Sequence, residues 1–170
     1  MKVCYTIVLV LIFFTACKKN GTKKIDAGNI TVTDAFGQSL GPTDASDWRF
    51  DDRWSAEEQA LFNFADTASM TGMKQAATAR SLCYPNPASD QIAFHFDADQ
   101  PTFLKMVITD EQLNILFKSA FGLFTPSGSN FIIDLTSGPY KKGQYFRVYY
   151  ALYAEGAPLY KKGHGDFKRS

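Results

Sequence analysis

The stretch Tyr84-Pro85-Asn86-Pro87-Ala88-Ser89-Asp90, followed by Gln91-Ile92-Ala93-Phe94-His95-Phe96, decides the fold. Two prolines fix φ at residues 85 and 87 and push Tyr84 and Asn86 toward extended geometry, so this segment is neither helix nor central strand. Immediately after it the side-chain rhythm takes a period of two. Ile92, Phe94 and Phe96 fall on one side and Ala93 and His95 on the other, which predicts a strand with one buried face. Residues before the motif carry a leader, a leash and helical signals. The motif therefore reads as a hinge between a helical segment, residues 46–81, and a β domain, residues 82–170.

Alternation and turn signals continue to the C-terminus. Asp97-Ala98-Asp99-Gln100 is a turn; Leu104, Met106 and Ile108 mark a strand; Asp110-Glu111-Gln112 reverses the chain into Leu113, Ile115 and Phe117. Gly122 to Gly128 reads as a loop, Phe131, Ile133 and Leu135 as a further strand, and Pro139 to Gly143 as a break. Gln144 to Tyr153 is the longest expected strand, Glu155-Gly156 turns it into Leu159 to Lys162, and a short piece follows near Phe167. About seven short strands in this spacing predict a mainly β chain, an antiparallel Ig-like β-sandwich preceded by one or two helices. Fifteen phenylalanines and eight tyrosines supply its core.

The first residues set the compartment. Met1-Lys2 is a basic start, Ile7 to Phe14 an unbroken apolar run, and Thr15-Ala16 are small residues before Cys17. This is the layout of a secretory signal peptide over residues 1–16, too short on its apolar side for a permanent span. Phe14-Thr15-Ala16-Cys17 resembles the lipobox of bacterial lipoproteins, and the resemblance implies lipidation at Cys17 and a permanent membrane tether. Residues 17–45 then form a lipid-tethered linker, whose Lys18-Lys19-Asn20-Gly21-Thr22-Lys23-Lys24 reads as a solvated leash, while residues 25–50, with Ile30 and Val32 among the turn formers Gly37, Gly41 and Pro42, read as irregular chain packing against another part of the protein. The net charge of +1 includes Lys2, so a chain cut after residue 16 is near neutral and gives no electrostatic case for nucleic acid. Cys4 leaves with the leader and Cys17 goes to lipid. Cys83 remains alone and cannot form an internal bridge; with no His or basic residue within two positions to lower its pKa, it reads as a semi-buried apolar residue over a reactive thiol.

Ser55 and Glu58 have the spacing of a capping box, and Leu61, Phe64, Ala65 and Ala68 follow on one helical face, predicting a helix over residues 56–69. Residues 70–81 read as a weaker helix or a linker. Ahead of the cap stands Asp47-Trp48-Arg49-Phe50-Asp51-Asp52-Arg53-Trp54. It is either a binding surface around Trp48 and Trp54 or a tryptophan-anchored loop with a solvated rim.

The order of motifs after the hinge has a known likeness. Tyr84, Pro85, Asn86, Pro87 and Asp90, then Ile108-Thr109-Asp110, Leu113 to Lys118, Ile133-Asp134-Leu135, Gly143-Gln144-Tyr145 and a lysine-rich end together resemble the C-terminal sorting domain of the type IX secretion system in Bacteroidetes. The likeness covers residues 82–170 and implies a β-sandwich that secretion machinery recognises.

Chemistry is sparsely signalled. His95 and His164 are the two histidines, and His164 with Asp166 sketches a base and its orienter without a nucleophile elbow beside them. No metal-ligand spacing or phosphate-binding loop occurs, so neither cofactor nor metal is expected. Tyr145, Arg147, Tyr149 and Tyr153 share one side of the long strand. They either stack a sugar ring or meet a partner, or they pack beneath the N-terminal helix. The expectation is thus a non-enzymatic, exported envelope lipoprotein, most directly of the outer membrane, touching membrane lipid through Cys17 and an envelope protein through its sandwich. A type IX secretion client is the alternative, and a glycan-binding module the second.

Overall fold

The computed structural model describes residues 25–41, 43–50, 53–65, 78–99, 102–124, 128–153 and 159–170. The leader, Cys17, the lysine leash, Asp51, Asp52, Gly156 and most of residues 66–81 lie outside the described residues. What is described is mainly β, a sandwich of two antiparallel sheets. β1 (Arg49–Phe50), β8 (Leu159–Lys168), β7 (Tyr145–Tyr153), β4 (Thr102–Thr109) and β5 (Ile115–Phe124) form one sheet in that spatial order. β2 (Ala79–Tyr84), β3 (Gln91–Ala98) and β6 (Ser129–Asp134) form the other, with β3 central. The single helix of the described residues is α1 (Ala56–Ala60).

The predicted alternation holds where it was clearest. Ile92, Phe94 and Phe96 are essentially inaccessible and face Leu104, Met106, Ile108, Phe146, Val148, Tyr150 and Phe167 across the sandwich. Phe96 meets Tyr150 edge-on at 5.1 Å, and Phe94 meets Phe167 edge-on at 5.8 Å, the offset geometry that aromatic quadrupoles prefer.

Three expectations need correction. The motif at residues 84–90 is not a boundary between a helical segment and a β domain. β2 begins at Ala79, pairs with β3 from Ala79↔Ala98 to Tyr84↔Ala93, and the motif is the connection between them, with both X-Pro bonds cis. Residues 25–41 and 43–45 pack against the sandwich, in keeping with their reading as irregular chain packed against another part of the protein. Ile25 and Ala27 are buried, and Thr33 exchanges backbone hydrogen bonds with Asn86 at 2.9 and 3.1 Å. The helix is five residues long rather than fourteen. Its capping box forms as predicted, with Ser55 N–H donating to Glu58 Oε2 at 2.7 Å and Glu58 N–H to Ser55 Oγ. It ends at Leu61 because Leu61, Phe62 and Phe64 fold down onto the sheet instead of extending one helical face. Finally, Leu113 lies in the turn, at φ 64°, rather than in the return strand, because the Asp110 carboxylate accepts from the N–H groups of Gln112 and Asn114. β5 then runs through Gly122 to Phe124, where a loop was expected.

The last strand is also longer than expected. Residues near Phe167 join Leu159 in one ten-residue β8, and Gly163 and Gly165 stand where the chain is crossed closely. A Cβ on Gly163 would lie 2.0 Å from the Arg49 carbonyl oxygen, and one on Gly165 would lie 2.3 Å from the Trp48 ring. Trp48 itself has φ 53° and packs into the sandwich, stacked on Tyr150 at 6.1 Å and 8°. The glycines therefore flank His164 for steric reasons, and the Gly-His-Gly run is a crossing point inside a strand.

Asn86 gathers these parts. It is fully buried; its side-chain N–H groups donate to Thr31 O (3.0 Å) and Asp166 O (3.1 Å), and its Oδ1 accepts from Lys168 N–H (3.1 Å). Removing that amide leaves Thr31 O and Lys168 N–H without its hydrogen bonds in a dry setting, and leaves Asp166 O with the Trp48 indole N–H at 3.3 Å. Asn86→Ala is expected to lower unfolding free energy by about 3 kcal/mol in denaturant melts, against under about 0.5 for the exposed Ser89→Ala. Gly165→Ala forces Trp48 out of its stack, and its melt is expected to fall by about 2–3 kcal/mol.

Candidate functional site

The tyrosine face of the long strand is covered. Tyr149 has no accessible surface and Tyr153 almost none, because Trp54, Leu61 and Phe62 lie across them together with Val107, Ala151 and Leu159. Trp54 meets Tyr149 edge-on at 5.5 Å, and Tyr149 Oη donates to Glu58 Oε1 at 2.9 Å. Burial, and then the nearby Glu58 carboxylate, push the Tyr149 hydroxyl far above the usual tyrosine range. Lys105 and Lys162 are themselves buried, with Nζ 4.7 Å from the centre of the Tyr153 ring and 5.0 Å from the Trp54 ring. Tyr145 lies under Lys168 Nζ at 5.1 Å. For Tyr149 and Tyr153, packing beneath the N-terminal segment is the reading realised. Tyr149 and Tyr153 offer no ring face to a sugar.

Arg147 is on the same side of β7 but serves a different structure. Its Nε and Nη2 donate to the two carboxylate oxygens of Asp166, each at 2.7 Å, and Nη2 also reaches Asp26 O. The pair is nearly enclosed, with side-chain exposures of 12% and 6%. Burial pushes the Asp166 carboxyl up, against the pull of the Arg147 guanidinium. Asp47 sits on the other side of Asp166. It accepts from the Asp166 backbone N–H at 2.6 Å and from Thr31 N–H at 2.8 Å, and burial raises its carboxyl to about 6 despite those donors. Asp166 orients Arg147, and its backbone meets Asp47 and Asn86.

Trp48 and Trp54 do not line an open surface; the first is wedged between the sheets and the second is buried under the helix. Of the motif residues, Asn86 and Ala88 face inward while Tyr84, Pro85 and Asp90 line a shallow groove of about 390 Å³ with Ala93 and Ile132. Tyr84 Oη donates to Asn130 Oδ1 at 3.1 Å, and His95 Nδ1 lies 2.8 Å from the same oxygen. His95 thus faces away from the core, as its register predicted. Cys83 is buried, and burial pushes its thiol well above the usual range, which leaves it unreactive. Among the described residues no group of three or more His, Cys, Asp or Glu is placed to hold a metal, and no helix is long and apolar enough to cross a membrane.

What the sequence reading missed is the exposed apolar set: Phe36 (86% exposed), Ile132 (66%) and Leu40 (66%). Ile132 interrupts the alternation as the middle of Phe131-Ile132-Ile133, and that three-residue apolar run was the available signal. It points outward from β6, at the rim of the groove above and of a second one, about 350 Å³, that Leu116, Phe117 and Ile133 line between β5 and β6. No family model matches the chain, and no curated protein matches it significantly.

The buried acid pair has a pH signature. Asp47 has a folded pKa of about 6, above the unfolded carboxyl value of about 3.9, so the folded chain binds this proton more tightly. The ionised group therefore costs stability above pH about 6, and the cost fades as pH falls toward about 4. Wild type is expected to gain stability relative to Asp47→Asn between pH 7 and pH 4.5 in urea melts. A constant difference across that range would show that the carboxyl titrates no differently in the folded chain.

Proposed function

We propose that this chain is a non-enzymatic envelope lipoprotein, exported by its leader, held in the outer membrane through acylated Cys17, and using its β-sandwich as an interaction module. The leader ends in Phe14-Thr15-Ala16-Cys17, and the described chain resumes only eight positions beyond that cysteine. There Ile25 is buried and its N–H donates to Glu111 O, so the sandwich begins close behind the lipid. The observation that carries the interaction reading is that β5 and β6 are terminal strands of their sheets among the described residues, with Leu116, Phe117, Ile132 and Ile133 lining a groove beside them. The buried polar side chains around Asn86, by contrast, are committed to one another and to the backbone.

A type IX secretion client is the second reading, and one observation favours it. Ser170 N–H donates to Ala88 O and Ala88 N–H to Lys168 O, so the last residues lie against the Tyr84–Asp90 motif. A receptor for that motif would meet the C-terminus in the same place.

Intact mass spectrometry of the chain from membranes separates the two. The first reading expects acylated Cys17 together with an intact Ser170, and expects Cys17→Ala to move the protein from the membrane to the soluble fraction. Loss of the residues after Tyr84, with an unmodified Cys17, would sink it and support the second.

A further inference from the structure

The N-terminal segment crosses one end of the sandwich. β4 ends there at Thr109 opposite Arg147, Arg147 pairs with Asp166 of β8, and Ala88 N–H donates to Lys168 O. Ile25 N–H donates to Glu111 O in the turn after β4, and Thr33 pairs with Asn86 in the connection after β2. The chain between these two points therefore lies across that end. Beyond Thr33 it forms a hairpin, Asp34 to Leu40, closed by the Thr33↔Ser39 bridge. The tip rests on the outer side of β2, where a Cβ on Gly37 would lie 3.0 Å from Leu82 Cδ1 and 3.4 Å from Tyr84 Cδ1.

This hairpin carries Phe36, 86% exposed, and Leu40, 66% exposed, yet its backbone donors are satisfied. The Asp34 carboxylate accepts from Phe36 N–H (2.8 Å) and Gln38 N–H (2.9 Å). Gly37 N–H donates to Asp34 O, Asp34 N–H to Gln38 O, and Leu40 N–H to Val32 O. A tip built this way offers little to an incoming strand, whether from another protein or from a second copy, because strand addition needs unused backbone groups. It can enter an apolar medium at low cost, since the polar groups that would resist are bonded within the turn.

On the lipoprotein reading the leaflet begins at Cys17, and whatever its path the chain from there to Ile25 reaches at most about 30 Å. The crossed end is then the end that faces the lipid. Residues 18–24 hold no large apolar side chain with which to cover Phe36.

We propose that the Asp34–Leu40 hairpin is a membrane contact, dipping Phe36 and Leu40 into the interfacial region of the leaflet that holds acylated Cys17. This deepens the tether reading and rests on it. Two side chains fall far short of the about 800 Å² per partner that a stable protein interface buries. An anchored body needs only a weak second contact, because the anchor holds the tip close to the lipid. Charge at this end is mixed, with exposed Lys141 and Lys142 in the loop between β6 and β7 against Asp90 and Glu111, so the contact is apolar and insensitive to salt.

The test couples the mature chain, residues 17–170, through Cys17 to a maleimide lipid in phosphatidylethanolamine vesicles with phosphatidylglycerol as the minor lipid. Cys83 is buried and does not compete. The chain is thus anchored whether or not cells acylate it, so unmodified Cys17 in native membranes would sink the lipoprotein reading without deciding the contact. A dye-bearing residue replaces exposed Gln38 in one sample and exposed Arg80, at the far end of β2, in another. Spin-labelled lipid chains are expected to quench the dye at position 38 about threefold or more better than at position 80. Phe36→Ser combined with Leu40→Ser is expected to bring position 38 down to the level of position 80 with an unchanged melt. Equal quenching at the two positions, or quenching at 38 that the double variant leaves untouched, overturns the proposal. Shielding of the dye at 38 from iodide before any vesicle is added also overturns it. The occupant is then a second copy if the shielding grows with protein concentration, and this chain's own residues if it does not.

Discussion

A single buried amide sets the constraint on which the rest of this fold depends. Asn86 sits where three pieces of chain converge: the N-terminal segment at Thr31 and Thr33, the end of β8 at Asp166 and Lys168, and the β2–β3 connection in which it lies. An asparagine side chain offers two donor hydrogens and an acceptor oxygen, and here each finds a backbone partner. Aspartate would bring two acceptors toward two carbonyls, and leucine would satisfy nothing. The prolines on either side leave Asn86 little conformational choice of its own. The hydrogen bonds are then made by a group already held in place, which lowers the entropy lost in forming them.

The five-stranded sheet depends on a second consequence of the same arrangement. Once the N-terminal segment has crossed the sandwich edge, the chain from Arg53 to Phe64 returns over the outer side of β4 and β7. β4 is accordingly buried on both sides at every position from Leu104 to Thr109, although it is an antiparallel strand. An antiparallel sheet commonly leaves one face to water. Here the aromatic load is large enough to fill two layers, one between the sheets and one under the strap. Lys105 and Lys162 survive in the outer layer because tryptophan, tyrosine and phenylalanine rings face their ammonium groups.

These layers explain what could be read beforehand and what could not. Period-two alternation marked β3 and β6 correctly, since each has one face in the core and one outside. The same rule said little about β4 and β7, whose second face is covered by residues about 50 and 100 positions away in the chain. The tyrosine row was legible as one side of a strand, but whether that side was open depended on where Trp54 and Phe62 fell. The capping box was local and came true; the helix beyond it did not, because burying Leu61 and Phe62 against the sheet outweighed continuing the helix. Asn86 read as an extended residue of a hinge between prolines, and its partners could not be known before the segments were brought together. The open edge of β6 was the hardest to foresee, because an edge exists only once the strand order is known.

The placement of Trp48 bears on the choice between an intact lipoprotein and a cleaved client. A detachable C-terminal unit needs a core it can keep after separation. In this sandwich Trp48 fills the space above Gly165 and beside Phe94, and β1 covers one edge of the large sheet. β2 lies before the motif and is one of only three strands in the small sheet. Cutting after Tyr84 would break the connection to Asn86, and losing the preceding segment would leave the carboxylate pair, the Tyr150 ring and the backbone of β3 without their partners. Residues 82–170 are therefore the larger part of one body rather than a unit of their own. The physical logic of the core favours a chain that stays whole, with its first half closing one side of the sandwich.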